Sequence, residues 1–262
     1  MAVDEALARC RLEGDATLRI YRWARPSLSF GRNQAAGGRY DPHALRSLGV
    51  EVVRRPTGGR EVLHDRELTY AVVVPAGAPG SPRGIYHAVN TALLDALRAL
   101  GVEGEIASPE HRTPSPDAGA CFGEPAAGEV TAGGRKLVGS AQVRMGKTLL
   151  QHGSLLLDRS PVELGALFAD GETGAARSGV APSGVAPTGG GAAGSSSGGA
   201  TTLRELLGRP VSFVDVASTV EAALAATFGG SWRESDGLTP AEARSARAME
   251  AQYLDPSWTW RR

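Results

Sequence analysis

Two apolar runs, residues 136–144 and 148–157, flank Met145-Gly146-Lys147. That arrangement commits the middle of the chain to a β-hairpin, and therefore to a sheet whose faces must be covered. Other strands are legible around it. Residues 18–23 alternate with a period of two, residues 51–54 run into Pro56-Thr57-Gly58-Gly59, and residues 68–74 are rich in β-branched and aromatic side chains.

The covering helices show the other period. Val3, Ala6, Leu7 and Cys10 fall on one helical face, which makes Cys10 a small buried hydrophobe. Ile85, Val89, Leu93, Leu97 and Leu100 form a longer apolar stripe stopped by Gly101. Ser160-Pro161-Val162-Glu163 and Thr202 with Glu205 are capping-box patterns, so a helix is expected to start at each. Further helices are expected at 214–228 and from Thr239-Pro240 onward, before the aromatic stretch 253–260. Strands and helices mix without regular βαβ alternation, which predicts an α+β fold with a mixed sheet over one domain spanning residues 1–262.

Residues 105–134 read as a long loop containing Cys121, and loops of that length in compact domains are often functional. Residues 171–200 are almost entirely Gly, Ala, Ser, Pro and Thr. So little apolar surface cannot offset the entropy of ordering, and a mobile insert is expected.

Composition narrows the function classes. Lys and Arg number 28, as do Asp and Glu, so the basic excess of a general nucleic-acid binder is missing. The acidic start and the lack of a long apolar run predict no secretory leader, no membrane span and no membrane partner. Cys10 and Cys121 lack metal-ligand spacing. Reduced thiols in a cytoplasmic protein, without metal or cofactor, are expected.

Three segments carry candidate chemistry: Arg54-Arg55-Pro56-Thr57-Gly58-Gly59-Arg60-Glu61-Val62-Leu63-His64-Asp65, Gly134-Arg135-Lys136-Leu137-Val138-Gly139-Ser140-Ala141-Gln142, and Gln151-His152-Gly153-Ser154. Taken singly each has a plain reading: two solvated arginines, a turn at Gly58-Gly59, a hydrogen-bonded structural histidine at His64, and an edge-strand lysine at Lys136. His152-Gly153 interrupts an apolar run, which a buried strand tolerates only where something packs against the glycine.

In this order and spacing the three segments resemble the biotin/lipoate protein ligase superfamily of cofactor transferases. The likeness extends from Asp4-Glu5-Ala6 through Ser29-Phe30-Gly31-Arg32 to Tyr253 and Trp258. Ala120-Cys121-Phe122-Gly123-Glu124-Pro125 looks like the cysteine segment of the lipoate-ligase-like octanoyltransferases of the LipM type. The resemblance implies that Cys121 is the nucleophile and Lys136 its cationic helper. It also implies that Arg55, Gly58, Gly59, His64, Gly139, Ser140, Ala141, His152 and Gly153 hold the acyl substrate. Donor and acceptor would be octanoyl-acyl carrier protein and a lysine of a lipoyl domain or glycine-cleavage H protein, served by a monomer. A basic surface including Arg135, Arg144 or Lys147 would guide the acidic carrier. The alternatives are an ATP-dependent lipoate–protein ligase and a non-catalytic acyl- or lipoyl-domain-binding protein. Glu61 departs from the family pattern, where a small residue usually stands, and so does Ala127 or Gly128, where an aromatic often follows the proline.

Overall fold

A computed structural model of the chain describes residues 1–10, 15–77, 80–108, 127–169 and 199–261. Cys121 and residues 171–198 lie outside these. The first half runs α1 (Ala2–Cys10), β1 (Thr17–Tyr21), β2 (Ser27–Phe30), α2 (Pro42–Ser47), β3 (Glu51–Arg54), β4 (Val62–His64), β5 (Glu67–Pro75) and α3 (Pro82–Ala99). The second runs β6 (Glu105–Ile106), β7 (Val130–Ala132), β8 (Arg135–Met145), β9 (Thr148–Leu156), α4 (Leu203–Leu207), α5 (Phe213–Phe228), α6 (Pro240–Leu254) and α7 (Pro256–Thr259).

The strands form two sheets. The larger is antiparallel throughout, in the order β1-β5-β9-β8-β7-β6. The smaller, β3-β2-β4, contains the parallel pair β2–β3 and the antiparallel pair β2–β4. The α+β class with mixed strands therefore holds, and the mixing is confined to the small sheet. The expected hairpin closes over a two-residue loop, with Met145 opposite Thr148 and Gly146 at φ +59°.

β5 shows why the large sheet needs cover on both faces. Tyr70, Val72 and Val74 enter the main core with Leu93 and Leu97 of α3 and Val216 and Val220 of α5. Ala71 and Val73 alternate to the opposite face and meet Leu7 and Ala8 of α1. The small sheet has its own cluster, built from Leu28, Phe30, Tyr40, Leu45 and Leu167, with Trp260 packed against it.

Several expectations need correction. The Ser160 pattern does not start an α-helix. Ser160 Oγ accepts from Val162 N two residues on and donates to Asp65, a local turn that competes with capping, and only a 3₁₀ turn, Leu164–Leu167, follows. Thr202, by contrast, does accept from Glu205 N, and its helix ends at Gly208 with φ +66°. Cys10 is half-buried at the seam with α6, its Sγ 3.8 Å from Ala241 O. The 105–134 segment carries β6 and β7 at its ends. Residues 199–201 flank Lys136 through Lys136 N–Gly199 O and Thr201 N–Lys136 O bonds, so the C-terminal edge of the low-complexity stretch joins the sheet.

One close approach decides how the two sheets meet the glycine loop. A Cβ on Gly31 would lie 1.8 Å from Gly59 O, and Arg32 N donates to Thr57 O at 2.7 Å. Backbone, not a flexible side chain, is in the way. Gly31→Ala should lower stability by roughly 1–3 kcal/mol or more, read as a drop in urea midpoint at unchanged slope. An unchanged midpoint would contradict this packing.

Candidate active site

Strand alternation aims the glycine-loop segment. After Gly58 and Gly59, residues Arg60, Val62 and His64 face a cavity of about 430 Å³, a size that holds a small organic ligand. Glu61 and Leu63 point elsewhere. Glu61 is fully buried, accepts from Gln34, and stands 3.9 Å from Arg39, so its departure from the family pattern does not intrude on the cavity. The opposite wall comes from Gly139, Ser140 and Ala141 on β8 and His152, Gly153 and Ser154 on β9.

Gly153 has the neighbour its sequence context required. A Cβ there would lie 2.4 Å from Gly139 O and 2.7 Å from the Tyr70 hydroxyl. Tyr70 in turn sits 2.7 Å from Ser140 Oγ, which donates to Asn90 Oδ1 at 3.1 Å. Burial pushes the Tyr70 phenol up to about 12, so it stays a neutral hydrogen-bonding group. Where an aromatic was expected near Ala127 or Gly128, Tyr86 of α3 supplies one. It lines the cavity beside Ala127, and a Cβ on Gly128 would lie 3.4 Å from its ring.

The plain readings of the charged residues fail here. Arg54 and Arg55 are buried rather than solvated. Arg55 donates to Ser29 O and Ser29 Oγ, both at 3.1 Å, and to Gly58 O and Arg60 O at 2.9 and 2.6 Å, which holds the glycine loop in shape. Lys136 lies on β8, an interior strand, because β7 covers the edge that its sequence suggested. It is fully buried, with Nζ 2.7 Å from Glu129 Oε1. Lys136 itself is not in the cavity wall, whereas Glu129 is.

All nine expected substrate residues, Arg55, Gly58, Gly59, His64, Gly139, Ser140, Ala141, His152 and Gly153, border this one cavity. Sequence reasoning missed their supports. Ser29 Oγ lies 2.7 Å from His64 Nε2, and His64 Nδ1 lies 2.6 Å from Glu67 Oε1. Thr57 Oγ1 lies 2.6 Å from His152 Nε2, and Asp4 Oδ2 stands 3.7 Å from His152 Nδ1. Asp4 belongs to the acidic start of the chain, yet it is fully buried and accepts from Arg19 and Tyr21. Its apolar helical neighbours and its place at the start of the family likeness were the sequence hints. Among the described residues no cluster of His, Cys, Asp or Glu could hold a metal ion, and no helix is long and apolar enough to cross a membrane.

This is the catalytic fold of lipoate–protein ligases. Lipoate-protein ligase A bound with ATP superposes with a TM-score of 0.75 at 22% identity, covering 99% of this chain and 92% of the other. A chain from a structural analysis of an archaeal lipoylation system, a bi-partite lipoate protein ligase and its E2 lipoyl domain from Thermoplasma acidophilum, gives 0.75 at 22% identity, with 99% and 89% covered. The chain belongs to the lipoyl protein ligase A/B catalytic domain family, whose sequence profile matches residues 1–225. Octanoyltransferase LipM of Kyrpidia tusciae is 41% identical across all of this chain and 94% of its own length. Octanoyltransferase LipM of Symbiobacterium thermophilum is 36% identical, with 100% and 93% covered.

Burial lowers the pKa of His152, partly offset by Asp4. Burial alone would raise Asp4, but His152, the N-terminal ammonium and Arg19 outweigh it and hold the carboxyl below the ordinary range. Below about pH 6.5 the unfolded chain therefore takes up a proton at this histidine that the folded chain resists, while Asp4 stays ionised. Stability should fall as pH drops from 7 to 5.5, by at most about 1.4 kcal/mol per pH unit from this group. Urea midpoints at the two pH values should differ less in His152→Gln; an equal difference would remove His152 as the cause.

Proposed function

We propose that this chain is an octanoyltransferase of lipoate assembly that moves the octanoyl group through a thioester on Cys121. The observation that carries the reading is full-length similarity to octanoyltransferases at up to 41% identity, joined to a cavity of acyl-chain size. The Cys121 thiolate attacks the thioester carbonyl carbon of octanoyl-acyl carrier protein, and the carrier's thiol leaves with a proton. A lysine amine of a lipoyl domain or H protein then takes the acyl group as an amide and frees Cys121. A thioester is activated already, so no nucleotide enters. A free thiol is only a few per cent thiolate at neutral pH, and the ammonium of Lys136 favours the anion. The enzyme works as a cytoplasmic monomer in this reading.

A second depression supports the donor. It has Pro56 in its wall and is lined by Arg32, Arg144 and Lys147, together with Arg9, which pairs with the one carboxylate there, Glu5. Arg32, Arg144 and Lys147 are exposed. This is a concentrated positive field on a chain of zero formal charge, suited to an acidic carrier and unsuited to an incoming lysine. Arg135 is drawn off toward Glu205 at 3.2 Å and does not contribute.

Two experiments test this function. Intact-mass spectrometry after mixing with octanoyl-acyl carrier protein should show one octanoyl adduct, absent in Cys121→Ser, which also loses transfer to the lipoyl domain. A Cys121→Ser enzyme that retains activity with lipoate and ATP would make the chain a ligase. Reversing charge at Arg144 and Lys147 together should raise KM for the carrier about 10-fold, an effect that shrinks with added salt; unchanged KM would move the docking surface elsewhere.

A further inference from the structure

The mechanism above leaves one proton unassigned. An acceptor lysine is an ammonium at neutral pH, with an ordinary pKa of about 10.4, and only the neutral amine can attack. The cavity must therefore take a proton from each incoming lysine, close to the buried ammonium of Lys136.

Three side chains in the wall carry a carboxylate or an imidazole: Glu129, His152 and His64. Glu129 is engaged by Lys136 Nζ at 2.7 Å. His152 has its Nε2 against Thr57 Oγ1 at 2.6 Å, and its nearest carboxylate stands off at 3.7 Å. His64 differs from both. Its Nδ1 lies 2.6 Å from Glu67 Oε1, and a carboxylate only accepts, so Nδ1 carries the ring proton. On the other side Arg55 Nη1 donates to Ser29 Oγ at 3.1 Å, so the Ser29 hydroxyl proton turns toward His64 Nε2, 2.7 Å away. Nε2 is thereby held as an unprotonated acceptor, assigned from the network.

The arrangement is fixed from several directions. Glu67 Oε1 also accepts from Thr69 and Ser154 at 2.7 and 2.8 Å, while Glu67 Oε2 has no hydrogen-bond partner. Trp23 stacks on the His64 ring at 4.4 Å and donates to Thr69. A buried polar chain of this kind is expensive in the wall of an acyl pocket, and a hydrocarbon tail needs none of it. A base backed by an orienting carboxylate has the geometry of acyl-transfer relays on unrelated folds.

We propose that His64 is the base that deprotonates the acceptor lysine, with Glu67 and Ser29 as positioning residues. This rests on the octanoyltransferase reading. The amine displaces Ser29 as donor to Nε2 and passes its proton there, and the Glu67 carboxylate balances the imidazolium. Amine nitrogen bonds to the thioester carbonyl carbon, the C–S bond to Cys121 breaks, and the sulfur leaves with the electron pair. The second amine proton goes to that sulfur, restoring the thiol, and His64 releases its proton to water.

The test compares two nucleophiles on the same octanoyl-enzyme. A lipoyl-domain lysine needs a base, whereas hydroxylamine is already uncharged at neutral pH. In His64→Gln the rate of discharge to lysine, divided by that to hydroxylamine, should fall about 100-fold from the wild-type ratio. Added imidazole should raise that ratio in His64→Ala. If His64→Gln melts early, Glu67→Gln is read in the same way and should lower the ratio about 10-fold. An unchanged ratio, including equal slowing toward both nucleophiles, overturns the proposal. Absence of an octanoyl adduct on the wild-type enzyme sinks the Cys121 thioester instead. The same ratio, measured in steady state from the thioester donor, then still decides the role of His64.

Discussion

Two buried guanidinium groups at the end of β3 hold this structure together. Consecutive strand residues point to opposite faces, so Arg54 and Arg55 leave the backbone in opposite directions. Arg54 donates to the carbonyls of Gly31 and Gln34 on one side and of Trp258, Thr259 and Arg261 on the other. Trp258 Nε1 returns a bond to Arg54 O. The C-terminal segment is thus tied to the small sheet through main-chain acceptors on both sides of one guanidinium. Arg55 does the same for Ser29 and the glycine loop. A lysine, with its compact point charge and three donors, could not span either set.

That constraint propagates to the cavity. Because Arg54 and Arg55 fix where residues 31–34 and 56–60 run, Gly31 and Gly59 must meet backbone to backbone, and the glycine loop becomes one wall opposite the β8–β9 hairpin. The other wall owes its shape to Tyr70, which fills the space where Gly153 has no side chain. Polar atoms facing the cavity are held in chains that end on buried acids: Ser29–His64–Glu67 and Thr57–His152–Asp4. The apolar floor and the hydrogen-bonded walls make a pocket that is greasy along its length and chemically equipped at chosen points.

Much of the framework was legible beforehand because it rests on local rules. The hairpin turn, the long helix ending at Gly101, the Thr202 and Thr239 caps and the alternation of β5 follow from backbone geometry and period. The weak elements were not. β4 has three residues and β6 two, too short for any period to register, and β2, with four, went unread as well; each is held by hydrogen bonds to a partner strand. The Ser160 pattern misled for the converse reason: its hydroxyl found Asp65 and a nearer amide, and a local signal yielded to a tertiary one.

By itself the sequence determined the secondary framework, the absence of a nucleic-acid binder's charge, and the family likeness of its three motifs. Only the tertiary structure decided what the charged residues are. Arg54, Arg55, Lys136, Glu67 and Asp4 are of residue types ordinarily found at the surface, and all are buried because the fold supplies each with partners, some near in sequence, as Glu129 is to Lys136, and others as far off as Arg261 O, 207 positions from Arg54. Charge pairing and carbonyl satisfaction act through space, at distances of a few ångströms, and no periodicity along the chain encodes them.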